Sequence, residues 1–293
     1  MPKEDEVLDF DIPRIPIGKT IEAIIDFLVV NCSGATNVFS DLMEAFIDLL
    51  VDGMMFLPPW LFILCIGALS FGITRKRSVG VLAILGLALI VNMGLWKATI
   101  STLALVLIAT LVSILIAIPT GILAALNKTA YRLVMPILDF MQTMPAFVYL
   151  IPAIPFFGLG KVSAIFSTVI FSVPPAIRLT CLGIRQVPEE LIEAADAFGS
   201  SPRQKLFKLQ LPLATPTIMA GVNQTVMLAL SMVVVAAMIG AKGLGGEVWK
   251  AIQRLQPGKG FEAGIGIVIV AMLLDRILQQ LGAKNGKPEG GNS

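Results

Sequence analysis

The stretch that decides the fold is Glu193-Ala194-Ala195-Asp196-Ala197-Phe198-Gly199, and it is followed by Leu209-Gln210-Leu211-Pro212. This segment is short, polar and charged, and it lies between long apolar runs. Pro188 ends the run before it, and Glu189 and Glu190 then place negative charge in the first turn of a predicted helix, which suits the helix dipole. A charged segment of this kind between two apolar runs predicts a surface on which a soluble partner docks.

The same segment predicts two short helices joined by a turn. One apolar stripe at helical spacing is formed by Leu191, Ala194, Ala195 and Phe198. Gly199 suits the position that follows a helix, because glycine adopts the left-handed conformation found there. Ser201 suits the N-cap of the second helix and Pro202 its first position.

The composition is that of a protein with several membrane spans. Of the 293 residues, 56% are apolar and 14% are charged, whereas soluble domains are about 25% charged. The chain has no histidine, which excludes a histidine general base, metal site or haem ligand. Its net charge of +2 is too small to predict a nucleic-acid partner. The three cysteines are far apart and predict neither a disulfide framework nor a zinc site.

Apolar runs long enough, or nearly long enough, to cross a bilayer as helices of roughly 20 residues recur along the chain. They are Met55–Ile73, Val79–Leu95, Ala98–Leu126, Leu133–Phe157, Val162–Ile184, Leu213–Ile239 and Gly264–Leu281. Lysine and arginine in the short loops place the N-terminus outside and the C-terminus in the cytoplasm. The lysines of Lys242–Gly260 run against this orientation. We expect that segment to be a structured external gate, a contact for an external partner protein, or a solvated loop.

The residues before the first run predict two amphipathic helices within residues 19–52. The first carries Glu22 and Asp26, and the second begins near Ser40, which would cap it. Both stretches are too short and too charged to span a bilayer. We expect them to lie on the outer membrane surface, and the alternative is a docking surface for an external partner.

The motif resembles the EAA loop of ABC-transporter permeases, in which E-A-A-x-x-x-G, nine residues and I-x-L-P form the docking element for the ATPase subunit. Leu209 stands where that family usually has isoleucine. Residues 142–152, 240–245 and 260–264 further resemble the glycine betaine/proline/choline permeases. The resemblance extends over residues 97–280, close to two thirds of the chain.

The resemblance implies an all-α polytopic membrane protein. Its core would be the five helices of an importer-type (type I) ABC permease, with two extra N-terminal spans and amphipathic external N-terminal helices. The implied divisions are an external amphipathic region at 1–54, two accessory transmembrane helices at 55–96, the permease core at 97–281 and a cytoplasmic tail at 282–293. Within the core, residues 186–212 form the cytoplasmic coupling loop.

The resemblance also implies a function and partners. The chain would be the permease subunit of an ATP-driven importer for glycine betaine and related compatible solutes, including proline, choline or carnitine, in the bacterial cytoplasmic membrane. Its partners would be a second copy of itself, two cytoplasmic ATPase subunits, a separate external substrate-binding protein and membrane lipid. ATP and magnesium would bind to the ATPase, so this chain would be no enzyme and hold no cofactor.

Other functions are less well supported by the sequence. Gly18-Lys19-Thr20 mimics the end of a phosphate-binding loop, but Pro13 stands where the first glycine of that loop is required. A membrane enzyme would need a nucleophile or a pair of carboxylates at mid-depth, and neither is recognisable. A stand-alone secondary transporter would show an inverted repeat or a central ion-coupling charge. It remains one alternative, and an ABC permease for another small amino-acid-like substrate is the other.

The candidate functional residues form two groups. The residues expected to couple to the ATPase are Glu193, Ala194, Ala195, Phe198, Gly199, Leu211 and Pro212. Glu193 would be a polar contact, the two alanines a close-packing surface and Gly199 the turn. The residues expected to line the translocation path are Gln142, Thr143, Phe147 and Tyr149.

The second group lies in a run with four prolines, which break helices where a water-filled cavity or protein satisfies the backbone. The other possibility is that its polar groups bond to neighbouring helices. Two charges within the apolar runs, Asp139 and Arg178, lie near the predicted cytoplasmic ends. We expect snorkelling or an interhelical pair there rather than ion coupling.

Overall fold

The computed structural model describes residues 16–285, and these residues form helices and their connections without any strand. The all-α prediction is therefore confirmed. Residues 1–15 and 286–293 lie outside the described range, so the predicted N-terminal region and cytoplasmic tail fall partly outside it.

The first helices are α1 Ile17–Phe56, α2 Pro59–Thr74, α3 Arg77–Asn92, α4 Trp96–Leu126, α5 Lys128–Thr143 and α6 Leu150–Phe157. The remaining helices are α7 Lys161–Arg185, α8 Glu189–Ala197, α9 Pro202–Lys205, α10 Leu211–Val235, α11 Leu244–Gln253 and α12 Pro257–Asn285. Short 3-10 turns at Ala146–Tyr149 and Ala236–Ile239 and a π turn at Leu206–Gln210 extend three of them.

The centre of the bundle is α7, which packs against α4 on one side and α10 on the other. Its buried face carries small polar side chains, and the hydroxyl groups of Ser113 on α4 and Ser172 on α7 are 3.1 Å apart. Small residues and hydroxyl groups at helix contacts are typical of membrane bundles, since the backbones then approach closely.

Glycines set the distance between α7 and its neighbours. A Cβ atom on Gly121 of α4 would lie 2.6 Å from the Thr180 Cβ and 2.8 Å from the Ile177 carbonyl oxygen. On α10, a Cβ atom on Gly221 would lie 3.2 Å from the Ala176 Cα. No side chain fits at these contacts without moving a helix, so the glycines fix the three-helix core.

Each of the apolar runs contains at least one helix, although the helices differ in length. Within residues 16–285, four helical segments are long and apolar enough to cross a bilayer, or five if the bent pair α5 and α6 counts as one span. Helices α2 and α3 have 16 residues each, or about 24 Å, which is somewhat less than the roughly 30 Å of a hydrocarbon core.

The run Leu133–Phe157, in which four prolines predict breaks, is sharply bent rather than straight. Helix α5 ends at Thr143, and the segment that follows, Ala146–Phe157, runs at 111° to it. The reason is Pro145, which has no N–H to continue the helix and holds Met144 in an extended conformation with ψ of 135°.

The prediction of two separate N-terminal helices, each too short and too charged to span a bilayer, is wrong. Helix α1 is one helix of 40 residues, and it is one of the four segments that are long and apolar enough to cross a bilayer. Ser40 lies inside it and caps nothing. In the polar middle of α1, which stays helical, the side chains of Asn31 and Thr36 donate hydrogen bonds to carbonyl groups one turn earlier, over 2.7 Å and 3.2 Å. Glu22, Asp26 and Glu44 still share one face, so the helix is amphipathic as expected.

The C-terminal part of α1 is attached to the bundle. Ile47 is buried in the main apolar core, and Asp48 forms an ion pair with Lys161 at the start of α7. The rings of Phe39 and Phe157 have their centroids 5.8 Å apart. These contacts hold α1 at the same end of the bundle as the α6–α7 turn.

Two further expectations are resolved by the structure. The segment Lys242–Gly260 is structured, since it contains α11. The expectation of an interhelical pair is confirmed, because the Arg178 Nη2 of α7 donates a hydrogen bond to the Asp139 Oδ1 of α5 over 2.7 Å.

The glycine contact between α4 and α7 gives a test of the packing. We expect Gly121→Ala to destabilise the protein by about 1–3 kcal/mol, because the added Cβ meets a backbone oxygen that moves only with its helix. This lowers the apparent Tm in detergent by on the order of 5 °C. Gly72→Ala on α2, where a Cβ meets nothing within 4 Å, is the matched control and should leave the Tm unchanged or slightly higher. Equal Tm values for the two variants would contradict the packing argument.

Candidate functional site

The coupling loop begins with α8, whose end has the geometry that the sequence predicts. Gly199 has φ of +73°, a conformation that favours glycine over residues with a side chain. The Gly199 N–H donates to the Asp196 carbonyl and the Ser200 N–H to the Ala195 carbonyl, each over 2.9 Å. This pair of bonds is a Schellman motif, which satisfies the last carbonyl groups of the helix and ends it.

The second half of the loop is closed by a capping box. The Ser201 Oγ accepts a hydrogen bond from the Gln204 N–H over 3.3 Å, and the Gln204 Oε1 accepts one from the Ser201 N–H over 2.8 Å. An ion pair of 2.6 Å between Lys205 and Asp196 joins α9 to α8. The predicted N-cap is therefore confirmed, and the two short helices hold a defined relative orientation.

The loop enters α10 through the π turn at Leu206–Gln210. Leu206 is buried in a small apolar cluster with Ile184 at the end of α7 and with Ala214 and Ile218 of α10, and Leu211 packs against this cluster. Beside the cluster, a Cβ atom on Gly183 would lie 3.2 Å from the Ala214 carbonyl oxygen. The base of the loop is thus clamped between α7 and α10.

The outer face of the loop carries uncovered apolar side chains. Phe198 is 91% exposed, and Phe207 and Leu191 are also exposed. No residue of α8 is buried. An aromatic ring left fully open at the tip of a rigid, charged loop is typical of a protein–protein contact, in which such rings fill pockets of the partner.

The bend between α5 and α6 is held from the inside by Tyr149. This residue is only 5% exposed, and its hydroxyl group donates to the Met141 carbonyl, which the bend leaves free. The Ser167 Oγ in turn donates to the Tyr149 carbonyl over 3.0 Å, and the Phe171 ring packs edge-on against the Tyr149 ring. Tyr149 therefore supports the bend from within the protomer.

The other residues of this group lie on the surface. Gln142, Thr143 and Phe147 are exposed around the bend. The neighbouring face of α5 is apolar and uncovered, with Leu133 and Phe140 largely exposed. The bend thus brings two polar side chains and one aromatic ring to an open apolar surface.

The profile of the family described as "Binding-protein-dependent transport system inner membrane component" matches residues 117–284. This range is more than half of the chain and contains the coupling loop, both sides of the bend and all but the last residue of α12. The chain belongs to this family. The resemblance to ABC-transporter permeases is thereby confirmed.

Curated relatives match almost the whole permease. The glycine betaine transport system permease protein OpuAB of Bacillus subtilis is 49% identical over 273 residues, which cover 93% of this chain and 96% of that protein. The glycine betaine/carnitine transport permease protein GbuB of Listeria monocytogenes is 47% identical over 277 residues, which cover 94% of this chain and 98% of that protein.

A solved structure shows the same fold. The inward-facing MetNI methionine ABC transporter aligns with a TM-score of 0.61 over 65% of the permease and 95% of the matched chain, at 22% sequence identity. The expected type I permease fold is therefore confirmed.

The structure brings the predicted coupling residues together and divides the predicted path residues. The coupling residues lie on one continuous element, in which Glu193, Ala194, Phe198 and Pro212 are exposed, Ala195 is half-buried and Leu211 is anchored at the base. Of the path residues, Tyr149 lies in the core. Whether either group makes its proposed contacts stays a prediction.

Sequence reasoning missed a polar contact in the permease core. The Asn223 Nδ2 of α10 donates to the Asp275 Oδ1 of α12 over 2.9 Å, and the Gln279 Nε2 donates to the same carboxylate over 2.8 Å. The available signal was a carboxylate within an apolar run, which normally has a specific partner. The contact joins the helix that leaves the coupling loop to the last helix.

The left-handed turn at Gly199 gives a test of the loop geometry. We expect Gly199→Val to open the loop, since a β-branched residue in this conformation costs about 1–2 kcal/mol or more, while Gly199→Asn should be tolerated better. Opening is measured as the rate of tryptic cleavage after Arg203 in the purified protein in nanodiscs, which should rise about tenfold for the valine variant. Equal rates for valine and asparagine would show that the turn does not depend on its φ angle.

Proposed function

We propose that this permease is the membrane-spanning subunit of an ATP-driven importer of glycine betaine and related compatible solutes. The observation that carries the proposal is that two relatives close to half identical over nearly the full chain are both glycine betaine permeases by name. Glycine betaine and carnitine, for which the two relatives are named, are zwitterions with a quaternary ammonium group. Another small amino-acid-like solute is the alternative cargo.

In this proposal, ATP hydrolysis takes place on a partner subunit, and that subunit also binds the magnesium. Two copies of that ATPase engage two copies of the permease through the coupling loops. The Phe198 ring is the anchor, Glu193 is a polar contact, and Ala194 and Ala195 allow close approach. The defined orientation of α8 and α9 and the exposed Phe198 ring support this assignment.

Transport proceeds by alternating access in this proposal. ATP binding closes the two ATPases, and the loops carry the motion into α7 and α10, which clamp their base. The path opens to the loaded external binding protein, and hydrolysis resets it. The exposed surface around Gln142, Thr143 and Phe147 is the part of the protomer that best suits the contact with the second copy and the path between them.

The orientation follows from the same assignment. With the coupling loop in the cytoplasm, α10 runs outward and α12 returns, which places the C-terminus in the cytoplasm. The turn before α7 and the whole segment from Gly240 to Gly260 then face the outside. The basic residues Arg75 and Lys76 between α2 and α3, and Arg77 at the start of α3, lie on the cytoplasmic side, in agreement with the positive-inside rule.

The function is tested by uptake of labelled glycine betaine into proteoliposomes that contain the permease, its co-purified ATPase and added binding protein. We expect accumulation with ATP inside the vesicles and none without it. Accumulation by the permease alone, driven by an ion gradient, would replace the proposal with a secondary transporter. ATP-driven uptake of a different amino-acid-like solute in competition assays would keep the importer and change its cargo.

The role of Phe198 has a test with a matched control. We expect Phe198→Ala to weaken association with the ATPase by about tenfold, because hot-spot aromatic anchors contribute about 2 kcal/mol or more. Phe261, which is 77% exposed in the first turns of α12, is a similarly open ring on the other side of the membrane, and Phe261→Ala should leave the ATPase bound. Association is measured by co-purification and by titration of the permease in nanodiscs. Equal retention of the ATPase by both variants would remove Phe198 from the interface.

A further inference from the structure

A cavity of about 500 Å³ opens where α4 begins, between the turn after α10 and helix α11. Its polar, charged and large aromatic lining residues are Lys97, Ser101, Lys242, Glu247, Trp249 and Lys250. Its volume lies within the range of roughly 300–1,000 Å³ that is usual for binding pockets. Neither the docking of the ATPase nor the bend of α5 accounts for it.

The charge of this cavity is positive. Three lysines and one glutamate line it, which leaves two net positive charges. The Lys250 Nζ and the Glu247 Oε1 are 2.8 Å apart and neutralise each other. The ion pairs found among the described residues include neither Lys97 nor Lys242, and both side chains are exposed at the rim.

The rim of the cavity is fixed by backbone contacts. The Leu244 N–H donates to the Thr102 Oγ1 over 2.8 Å, which ties the start of α11 to α4. Gly243 has φ of +143° and lies so close that a Cβ would be 2.5 Å from the same oxygen. A Cβ on Gly245 would be 2.6 Å from the Val234 Cα of α10. The backbone that carries the two lysines is therefore held in place, which lowers the conformational entropy lost when a partner binds.

The cavity and the coupling loop lie at opposite ends of one helix. Helix α10 starts at Leu211 beside the loop, and its 3-10 extension ends at Ile239 beside the cavity, a distance of about 40 Å at 1.5 Å per residue. In the proposed orientation the cavity faces the outside. Lysines in a short external segment oppose the positive-inside rule, so a specific use of their charge is the natural explanation.

We propose that this cavity receives acidic side chains of the external substrate-binding protein and so positions that protein on the permease. The inference rests on the proposed function, because it needs an external partner. The ammonium groups of Lys97 and Lys242 would pair with carboxylates of the partner, and the half-buried Trp249 would supply apolar contact area. Complementary charge of this kind mainly accelerates association and sets orientation.

An anionic lipid headgroup has the same chemistry, but the surroundings favour a protein. A bound lipid needs an apolar groove for its acyl chains next to the headgroup. The large apolar groove between α3, α11 and α12 shares no lining residue with this cavity, since Val248 and Ile252 face the groove whereas Glu247 and Trp249 face the cavity.

The test uses the complete permease–ATPase complex in nanodiscs and measures ATP hydrolysis against the concentration of binding protein loaded with glycine betaine. We expect Lys97→Glu combined with Lys242→Glu to raise the half-maximal concentration about tenfold, and to weaken its dependence on salt. Basal hydrolysis without binding protein should not change. Lys259→Glu, which reverses an exposed charge on the same side but outside the cavity, is the matched control and should stay within about twofold.

A second measurement does not depend on charge reversal being tolerated. A carbodiimide joins a lysine amine to a carboxyl group in contact with it as an amide, with loss of water. We expect mass spectrometry to find Lys97 or Lys242 joined to an aspartate or glutamate of the binding protein, and not after Lys97→Gln and Lys242→Gln. An unchanged Tm for the glutamine variant confirms that the fold is intact.

Three outcomes would overturn the inference. One is an unchanged half-maximal concentration in the double glutamate variant together with no cross-link at either lysine. Another is an effect that occurs only in nanodiscs with phosphatidylglycerol and vanishes in phosphatidylcholine, which assigns the lysines to lipid headgroups. The third is a tenfold effect of Lys259→Glu as well, which reduces the cavity to general surface charge. Absence of ATP-driven uptake in the wild type would instead overturn the proposed function.

Discussion

The close contact of α7 with α10 is the constraint on which the rest of the permease depends. The two helices meet at Gly183 and Gly221, where no side chain separates the backbones, and Leu206 closes the space beneath the coupling loop. Because neither helix can shift against the other without opening this contact, a force on the loop acts on both together. If the base of the loop were flexible, the same force would move only the loop and would not reach the two helices, even with both caps in place.

The coupling loop is the part that could be predicted best from sequence, and the reason is physical. Its structure depends on relations within a few residues: a glycine after a helix, a serine with a glutamine three positions later, and a proline in the first turn. Such relations are present in the sequence itself. The bend was only half predictable, because Pro145 signals a break but an apolar run of 25 residues equally fits one span.

The omissions arise where distant residues decide, whereas the error at α1 is local. Helix α1 continues through its polar middle, although Asn31 and Thr36 are residues that also favour loops. The contact of Leu244 with Thr102 joins residues that are 142 positions apart in the sequence. The contact of Asn223 with Asp275 joins residues that are 52 positions apart. The inward position of Tyr149 depends on the bend, which brings its hydroxyl group to the Met141 carbonyl, and it does not follow from the residue type.

Because of the π turn at Leu206–Gln210, the number of residues in the coupling loop determines the rotation of α8 relative to α10. A π turn holds one more residue than an α turn, and each residue of an α-helix rotates the next side chain by about 100°. Loss of one residue within Leu206–Gln210 would convert the π turn to ordinary helix and leave both caps intact. It would rotate α8, with its acidic and aromatic side chains, by about a quarter of a circle relative to α10. The face that α8 presents to a partner is therefore selected by the number of residues in this segment as much as by their identity.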